Sequence, residues 1–248
     1  MSAQSDLESG PAQTGQTLTP NNIYLESMNK VLTCLQSCEV LSCLPESELE
    51  HLTTHLITRK YKKNTIIISS GDVTDSVYII QSGKVKVYRD NEEGRQITFN
   101  TLLPGTMFGE LAALAGTPRA ATVETAEPTV CLVLTKSEFV SMLERNPSVA
   151  VSMSRRFAQL VHLMSNHMAD IALLDVYGRL TNFLERNVLE IDGKQMVAGF
   201  THQEMANHIG SSREVISRML GGLKQGGYIS SNRDSRAIVL EKKLPPGL

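Results

Sequence analysis

Two charged residues, Glu110 and Arg119, stand nine positions apart in an otherwise small and apolar stretch, "FGELAALAGTPRAATV", residues 108–123. A carboxylate accepts hydrogen bonds from a vicinal hydroxyl pair, and a guanidinium offers a planar fork that suits a phosphate. Together they describe a sugar phosphate. Gly109, Ala112, Ala120 and Ala121 keep the backbone between them open, so amide N–H groups can approach the same anion. The competing account is structural: a buried Glu–Arg ion pair that closes a turn.

A second constellation, Ser212, Arg213, Glu214, Ser217 and Arg218, lies in "THQEMANHIGSSREVISRMLGGLK". Arginine can donate twice to guanine O6 and N7, and glutamate can accept from the cytosine amino group, each good pair discriminating by about 1–3 kcal/mol. Thr201 with Glu204, and Ser211 with Glu214, have the spacing of capping boxes. Two helix starts ten residues apart, with Gly210 at the turn between them, predict a helix-turn-helix seated by Met205, Ile209, Val215 and Leu220. Tyr228–Ile229 and Ala237–Leu240, joined by "SSNRDSR", are expected to form a hairpin wing. From Ser211 onward the chain carries seven Lys/Arg against three acids, although its net charge is −2. That local surplus suits a polyanion such as DNA, the alternative being a solvated charged helix face.

Cys34, Cys38, Cys43 and Cys131 are the only cysteines. Three within ten residues favour free thiols or a metal site over disulfides in a reducing compartment. Cys38 also falls at helical spacing from Val31, Leu35 and Leu41, which makes it a core residue on an apolar face. His51 and His55, at i and i+4, have zinc-binding spacing but no evident third ligand and read as a solvated face. "SRRFAQL" is too sparse in basic residues for a targeting signal. No nucleophile–base–orienter arrangement stands out, so an enzyme is not expected.

The elements that position these groups follow from periodicity. Residues 1–22, rich in Ser, Gln, Thr, Gly and Pro, read as a flexible tail. Helical spacing runs from Tyr24 to about Ile57, broken at Pro45; β-branched runs punctuated by glycines then predict a small β-roll from about Tyr61 to Leu134. A long helix from about Ser148 alternates Met153, Phe157, Leu160, Met164, His167, Ile171 and Leu174 at spacings of four and three. That is a seam for the same helix of a second copy, hence a symmetric dimer, with His167 as a polar register residue. The 248 residues support one large domain or two small ones, and the absence of a bilayer-length apolar run or secretory leader predicts a cytoplasmic protein with no membrane partner.

"FGELAALAGTPRAATV" resembles the phosphate-binding cassette of cyclic-nucleotide-binding domains, in the form found in regulatory subunits of cAMP-dependent protein kinase. "GDVTDSVYIIQSGKVKVY" is similar to the first strands of that domain, and "IALLDVYGRL" and "SSREVISRML" resemble the hinge and recognition helix of the CRP/FNR regulators. The resemblance implies an α+β chain with a cyclic-nucleotide-binding β-roll and flanking helices at 23–145, a dimerisation helix and hinge at 146–182, and a winged helix-turn-helix at 183–248. It implies that Glu110 holds a ribose hydroxyl and Arg119 the cyclic phosphate, lined by the backbones of Gly109, Leu111, Ala112 and Ala120. Ser165 would touch the purine, whereas Met164 and Ala120 depart from the hydroxyl-bearing residues usual in the bacterial receptor. Alanine at 120 resembles cAMP-selective domains, while threonine there accompanies cGMP.

The implied function is a homodimeric, allosteric transcription regulator that reads a palindromic site, with RNA polymerase as a partner if it activates. Arg213, Glu214 and Arg218 match the family's readers of TGTGA-type half-sites, and Glu214, Ser217 and Arg218 its readers of TTGAT-type ones. Three other readings stay open: an effector-independent DNA binder, a nucleotide sensor without DNA binding, and a redox regulator. The last would hold an iron–sulfur cluster on Cys34, Cys38, Cys43 and Cys131, although C-x3-C-x4-C departs from the C-x2-C-x5-C of the family's oxygen sensors.

Overall fold

The computed structural model describes residues 20–191, 193–232, 237–245 and 247, so most of the expected tail and Arg233, Asp234 and Arg236 of the wing loop lie outside the described residues. Helix α1 (Pro20–Ser37) begins inside the span read as tail, since proline's fixed φ suits a first helical turn. After α2 (Glu46–Thr53), β1 (Ile57–Tyr61) starts the roll earlier than the glycine punctuation suggested.

Two four-stranded antiparallel sheets make the roll. One has the order β1, β8 (Thr129–Leu134), β3 (Val77–Ser82), β6 (Met107–Phe108), and the other β2 (Ile66–Ile68), β7 (Thr122–Thr125), β4 (Val85–Asp90), β5 (Gln96–Leu102). Strands β3 and β8 are buried on both faces, and the two-residue period sorts their side chains between two cores. Val77, Ile79, Leu132 and Leu134 meet Leu35, Phe139 and Met142 of the flanking helices and Leu41 of the turn between α1 and α2. Tyr78, Ile80, Cys131 and Val133 point the other way, into the roll with Ile68, Val85 and Val123.

Between β6 and β7 sits the short α3 (Glu110–Ala115), and α4 (Lys136–Arg145) follows β8, capped by Thr135. Helix α5 (Pro147–Leu173) is the long helix anticipated from its spacing. Its first turns belong to the roll: Val149 and Met153 are buried, and Phe157 packs partly against the same core. The apolar stripe left open runs through Val161, Met164, Met168 and Ile171, which are 63, 57, 74 and 54 % exposed, with Leu160 and His167 half-buried at its margin. Of the residues read as a seam, Met153 is buried in the roll core and Phe157 packs partly against it, while Met164 and Ile171 stand in the open stripe.

A second core gathers Leu180 and Leu184 of α6 (Val176–Arg186) with Met205, Ile209, Ile216, Leu220 and Leu223. It is covered by a four-stranded sheet of order β11 (Ile229–Asn232), β12 (Ala237–Leu240), β10 (Lys194–Val197), β9 (Leu189–Ile191). The β9–β10 hairpin was not foreseen; its two short strands are mostly exposed and carry no clear alternation. Helices α7 (His202–Ile209) and α8 (Arg213–Gln225) form the helix-turn-helix. Thr201 and Glu204 make the expected capping box, but α8 is capped by Ser212 and not by Ser211. The amide of Ser211 donates to Ala206 O at 2.9 Å, closing the left-handed turn at Gly210 (φ +69°), so Ser211 belongs to the end of α7.

The α5–α6 junction is tied by named polar contacts. Asp170 accepts from Arg186 at 2.6 Å and Asn182 at 3.1 Å, while Arg179 donates to the carbonyls of Leu174 and Ile209, both at 2.9 Å. Asn207 Nδ2 donates to Gln96 Oε1 at 3.1 Å, setting α7 against β5. Among the described residues no helix is long and apolar enough to cross a membrane.

Candidate functional site

Arg119 and Glu110 are both buried, 3 % and 4 % exposed, yet they are not each other's partner. The guanidinium is held by three neutral oxygens: Nε donates to Thr74 Oγ1 at 2.8 Å, Nη1 to Gly109 O at 2.6 Å and Nη2 to Ser76 O at 2.7 Å. Among the described residues no carboxylate lies within the 4.0 Å of an ion pair to it. The buried Glu–Arg pair is therefore not what this stretch builds. Three of five N–H groups fix the arginine's plane, and two are left for an acceptor. Burial works against its charge, with Tyr78, Asp75 and Glu110 acting the other way.

The loop before β3 supplies this cradle. Gly71 N donates to Arg119 O and Arg119 N to Asp72 O, so the backbone at Arg119 is pinned before its side chain turns inward. Gly109 has φ +84°, and a Cβ there would stand 2.8 Å from Arg119 Nη1 and 3.0 Å from Ser76 O. Only glycine permits that approach. The stacked rings of Tyr78 and Phe108, 5.0 Å between centroids, lie between the same strands.

Glu110 opens α3, and its Oε1 lies 3.8 Å from Nη2 of Arg156 on α5. The same nitrogen donates to Met107 O at 2.6 Å. Burial raises the carboxyl above its usual range, and Arg156 offsets this only in part. A charged side chain thus ties the cassette glutamate to the long helix. Sequence reasoning missed Arg156, and it missed Thr74 and Ser76. A signal was there: Met153, Arg156 and Phe157 fall at i, i+3 and i+4, so a charge shares the face that packs on the roll.

Of the other residues assigned to the cassette, Ala112 is buried and Ala120 exposed. Leu111 is 44 % exposed on α3. Ser165 is exposed on α5, nine residues or about 13 Å of helix beyond Arg156.

On α8, Ile216, Leu220 and Leu223 face the second core, which turns Arg213, Glu214 and Arg218 outward. Ser212 Oγ accepts from Val215 N at 3.3 Å, and Ser217 Oγ lies 2.8 Å from His202 Nδ1. The Glu214 carboxyl is held below its usual range by its own backbone amide and by Ser212, which keeps it an acceptor. Lys224 Nζ donates to Ser231 Oγ at 3.0 Å, joining α8 to the wing.

The four cysteines do not make a cluster site. Cys34, Cys38 and Cys131 are core residues and Cys43 is on the surface. Burial pushes the Cys34 thiol up to about 11 and Cys131 up to about 12. Cys34 Sγ donates to Ile80 O at 3.5 Å, as a packed thiol does. Among the described residues no three His, Cys, Asp or Glu are placed to hold a metal. The rings of His51 and His55 touch at a tilt, 4.8 Å between centroids, and His55 faces Glu138 at 3.5 Å.

Two family models match the chain: a cyclic nucleotide-binding domain over residues 58–146 and a Crp-like helix-turn-helix domain over residues 178–243. The chain is 27 % identical over 189 residues to the cAMP-activated global transcriptional regulator CRP of Salmonella typhimurium, covering 74 % of this chain and 90 % of that protein. In fold it is similar to a CooA variant from Carboxydothermus hydrogenoformans, with a TM-score of 0.70 at 22 % identity over 82 % of this chain and 90 % of the other. It is also similar to the c-di-GMP responsive global regulator CLP of Xanthomonas campestris, with a TM-score of 0.69 at 18 % identity over 80 % of this chain and all of the other.

Proposed function

Because the chain belongs to the CRP/FNR family of transcription regulators, we propose that it is a homodimeric, sequence-specific DNA-binding regulator whose activity is set by a cyclic nucleotide, cAMP in the first place. The observation that carries the effector reading is Arg119. A buried guanidinium with only neutral oxygen partners is costly unless an anion completes it. The phosphate meets its two remaining N–H groups and the amides of the small residues beside it. Glu110 accepts from the ribose hydroxyl. The curated CRP relatives are named as cAMP-activated, and Ala120 stands where cAMP-selective domains carry alanine.

The mechanism is a shift of population. Ligand on Glu110 competes with Arg156 for the carboxylate, and Arg156 belongs to α5. A change at the cassette is thereby felt along the helix whose open stripe, Val161 to Ile171, joins two copies. The contacts of Asp170 and Arg179 carry the new setting to α6 and α7. In the favoured state the two α8 helices stand about 34 Å apart and enter successive major grooves. Arg213, Glu214, Ser217 and Arg218 then read a palindrome with a GA core in each half.

Titration calorimetry of the folded protein with cAMP and cGMP tests the effector. Binding of cAMP, weakened at least about 100-fold by Arg119→Leu at unchanged dimer content, is the expected result, since charge-assisted hydrogen bonds are worth about 1.5–3 kcal/mol each. No heat with either nucleotide refutes it.

A further inference from the structure

His202 opens α7 and Ser217 lies in the second turn of α8, and the two meet across the helix-turn-helix with Nδ1 and Oγ 2.8 Å apart. Neither is needed there for folding. His202 is exposed, the start of α7 is already capped by Thr201 and Glu204, and the α8 residues that fill the second core are Ile216, Leu220 and Leu223. Ser217 is only half-buried, between the outward Glu214 and Arg218.

A serine hydroxyl has one proton and two lone pairs, and it rotates to suit whatever faces it. A free rotor reads donors and acceptors alike and discriminates little. A pinned one does not. If the ring nitrogen accepts the hydroxyl's hydrogen bond, Oγ is left as an acceptor, suited to the amino groups of adenine N6 or cytosine N4. If Nδ1 carries the proton and donates, the hydroxyl proton is free for thymine O4 or for guanine O6 or N7. The first tautomer leaves Oγ an acceptor only, and the second aims the proton away from the histidine toward the base with one lone pair beside it, so each narrows what the hydroxyl can read.

We propose that His202 is a positioning residue for DNA reading: it fixes the Ser217 hydroxyl so that Ser217 discriminates one base of the half-site. This rests on α8 being the helix that reads DNA. His202 acts through Ser217 and is not itself a base contact.

The test uses the full-length protein in the presence of saturating cAMP. A duplex library with all four bases at every half-site position is equilibrated with the native protein, Ser217→Ala, His202→Phe and His202→Asn, and the bound fraction is sequenced. Ser217→Ala should lose discrimination at one position by about five- to tenfold, the weight of one neutral hydrogen bond. His202→Phe should lose it at that same position with affinity for other positions unchanged. His202→Asn, whose amide reaches the place of Nδ1, should restore most of it.

Undiminished discrimination in Ser217→Ala or His202→Phe overturns the proposal. So does an even loss across all sequences in His202→Phe, which marks a phosphate contact, and so does failure of asparagine to rescue. A native protein that enriches no sequence refutes instead the DNA-reading function beneath it. Melting temperatures of the variants, expected within a few degrees of native, show that the comparison is between folded proteins.

Discussion

Glu110 and Arg156 should respond to mutation in opposite ways. Burial holds the carboxyl above its usual range, with Arg156 opposing, so ionising it costs stability in the folded chain. Glu110→Gln should therefore melt no lower than the native protein at pH 7.5, while cAMP affinity drops about 10- to 100-fold. Arg156→Ala leaves the buried carboxylate without its nearest cation and should cost about 1–3 kcal/mol, below the figure for a fully buried pair because Arg156 is 22 % exposed. The double variant should recover most of that loss, as scanning calorimetry would show. Gly109→Ala should lower both melting temperature and nucleotide affinity, since its Cβ meets the guanidinium at 2.8 Å. At this scale the types of the site residues were legible, but their pairing was not. A Glu and an Arg in one short stretch invite a mutual ion pair, and only the loop at Thr74–Ser76 and the helix at Arg156 decide otherwise.

Among the elements, α7 carries a titration. His208 packs beside the rings of Phe183 and Phe200, at 5.4 and 5.8 Å between centroids, and burial lowers its pKa, with Glu204 opposing and His167 adding to the shift. A histidine held below its usual 6.5 resists protonation in the folded state, so its stabilising contribution is present above pH 6.5 and is lost as pH falls below that value. Melting followed by circular dichroism should show His208→Phe losing less stability than the native chain between pH 7.5 and 5.5. One group contributes at most about 1.4 kcal/mol per pH unit. Long elements and marked ends could be read directly: α5 from its four-three spacing, and α7 from Thr201 and Glu204. Short ones could not. The strands β9 and β10 are three and four residues long, and α3 is one and a half turns whose start is set by the left-handed Gly109 and not by a capping side chain.

The whole molecule stands or falls as a dimer under the proposed function. Replacing Met164 and Ile171 together with glutamate should give a folded monomer by light scattering, with nucleotide binding by the roll retained and DNA affinity reduced at least about 100-fold, because one α8 helix then meets one half-site alone. Periodicity, turn residues and the cassette determined by themselves that a β-roll, a long helix and a winged helix-turn-helix follow one another, since these depend on local spacing and on which residues tolerate a turn. They also singled out Glu110, Arg119 and the first turns of α8 as the places to which the proposed function assigns its chemistry. What only the tertiary structure decided is which groups each of these touches. The open stripe on α5 runs from Val161 to Ile171 because the roll claims Met153 and Phe157, and Glu110 answers to Arg156 because α5 crosses β6 where it does. Burial decides such partners: a charge removed from water takes the nearest compensation in space, and sequence distance does not enter that energy.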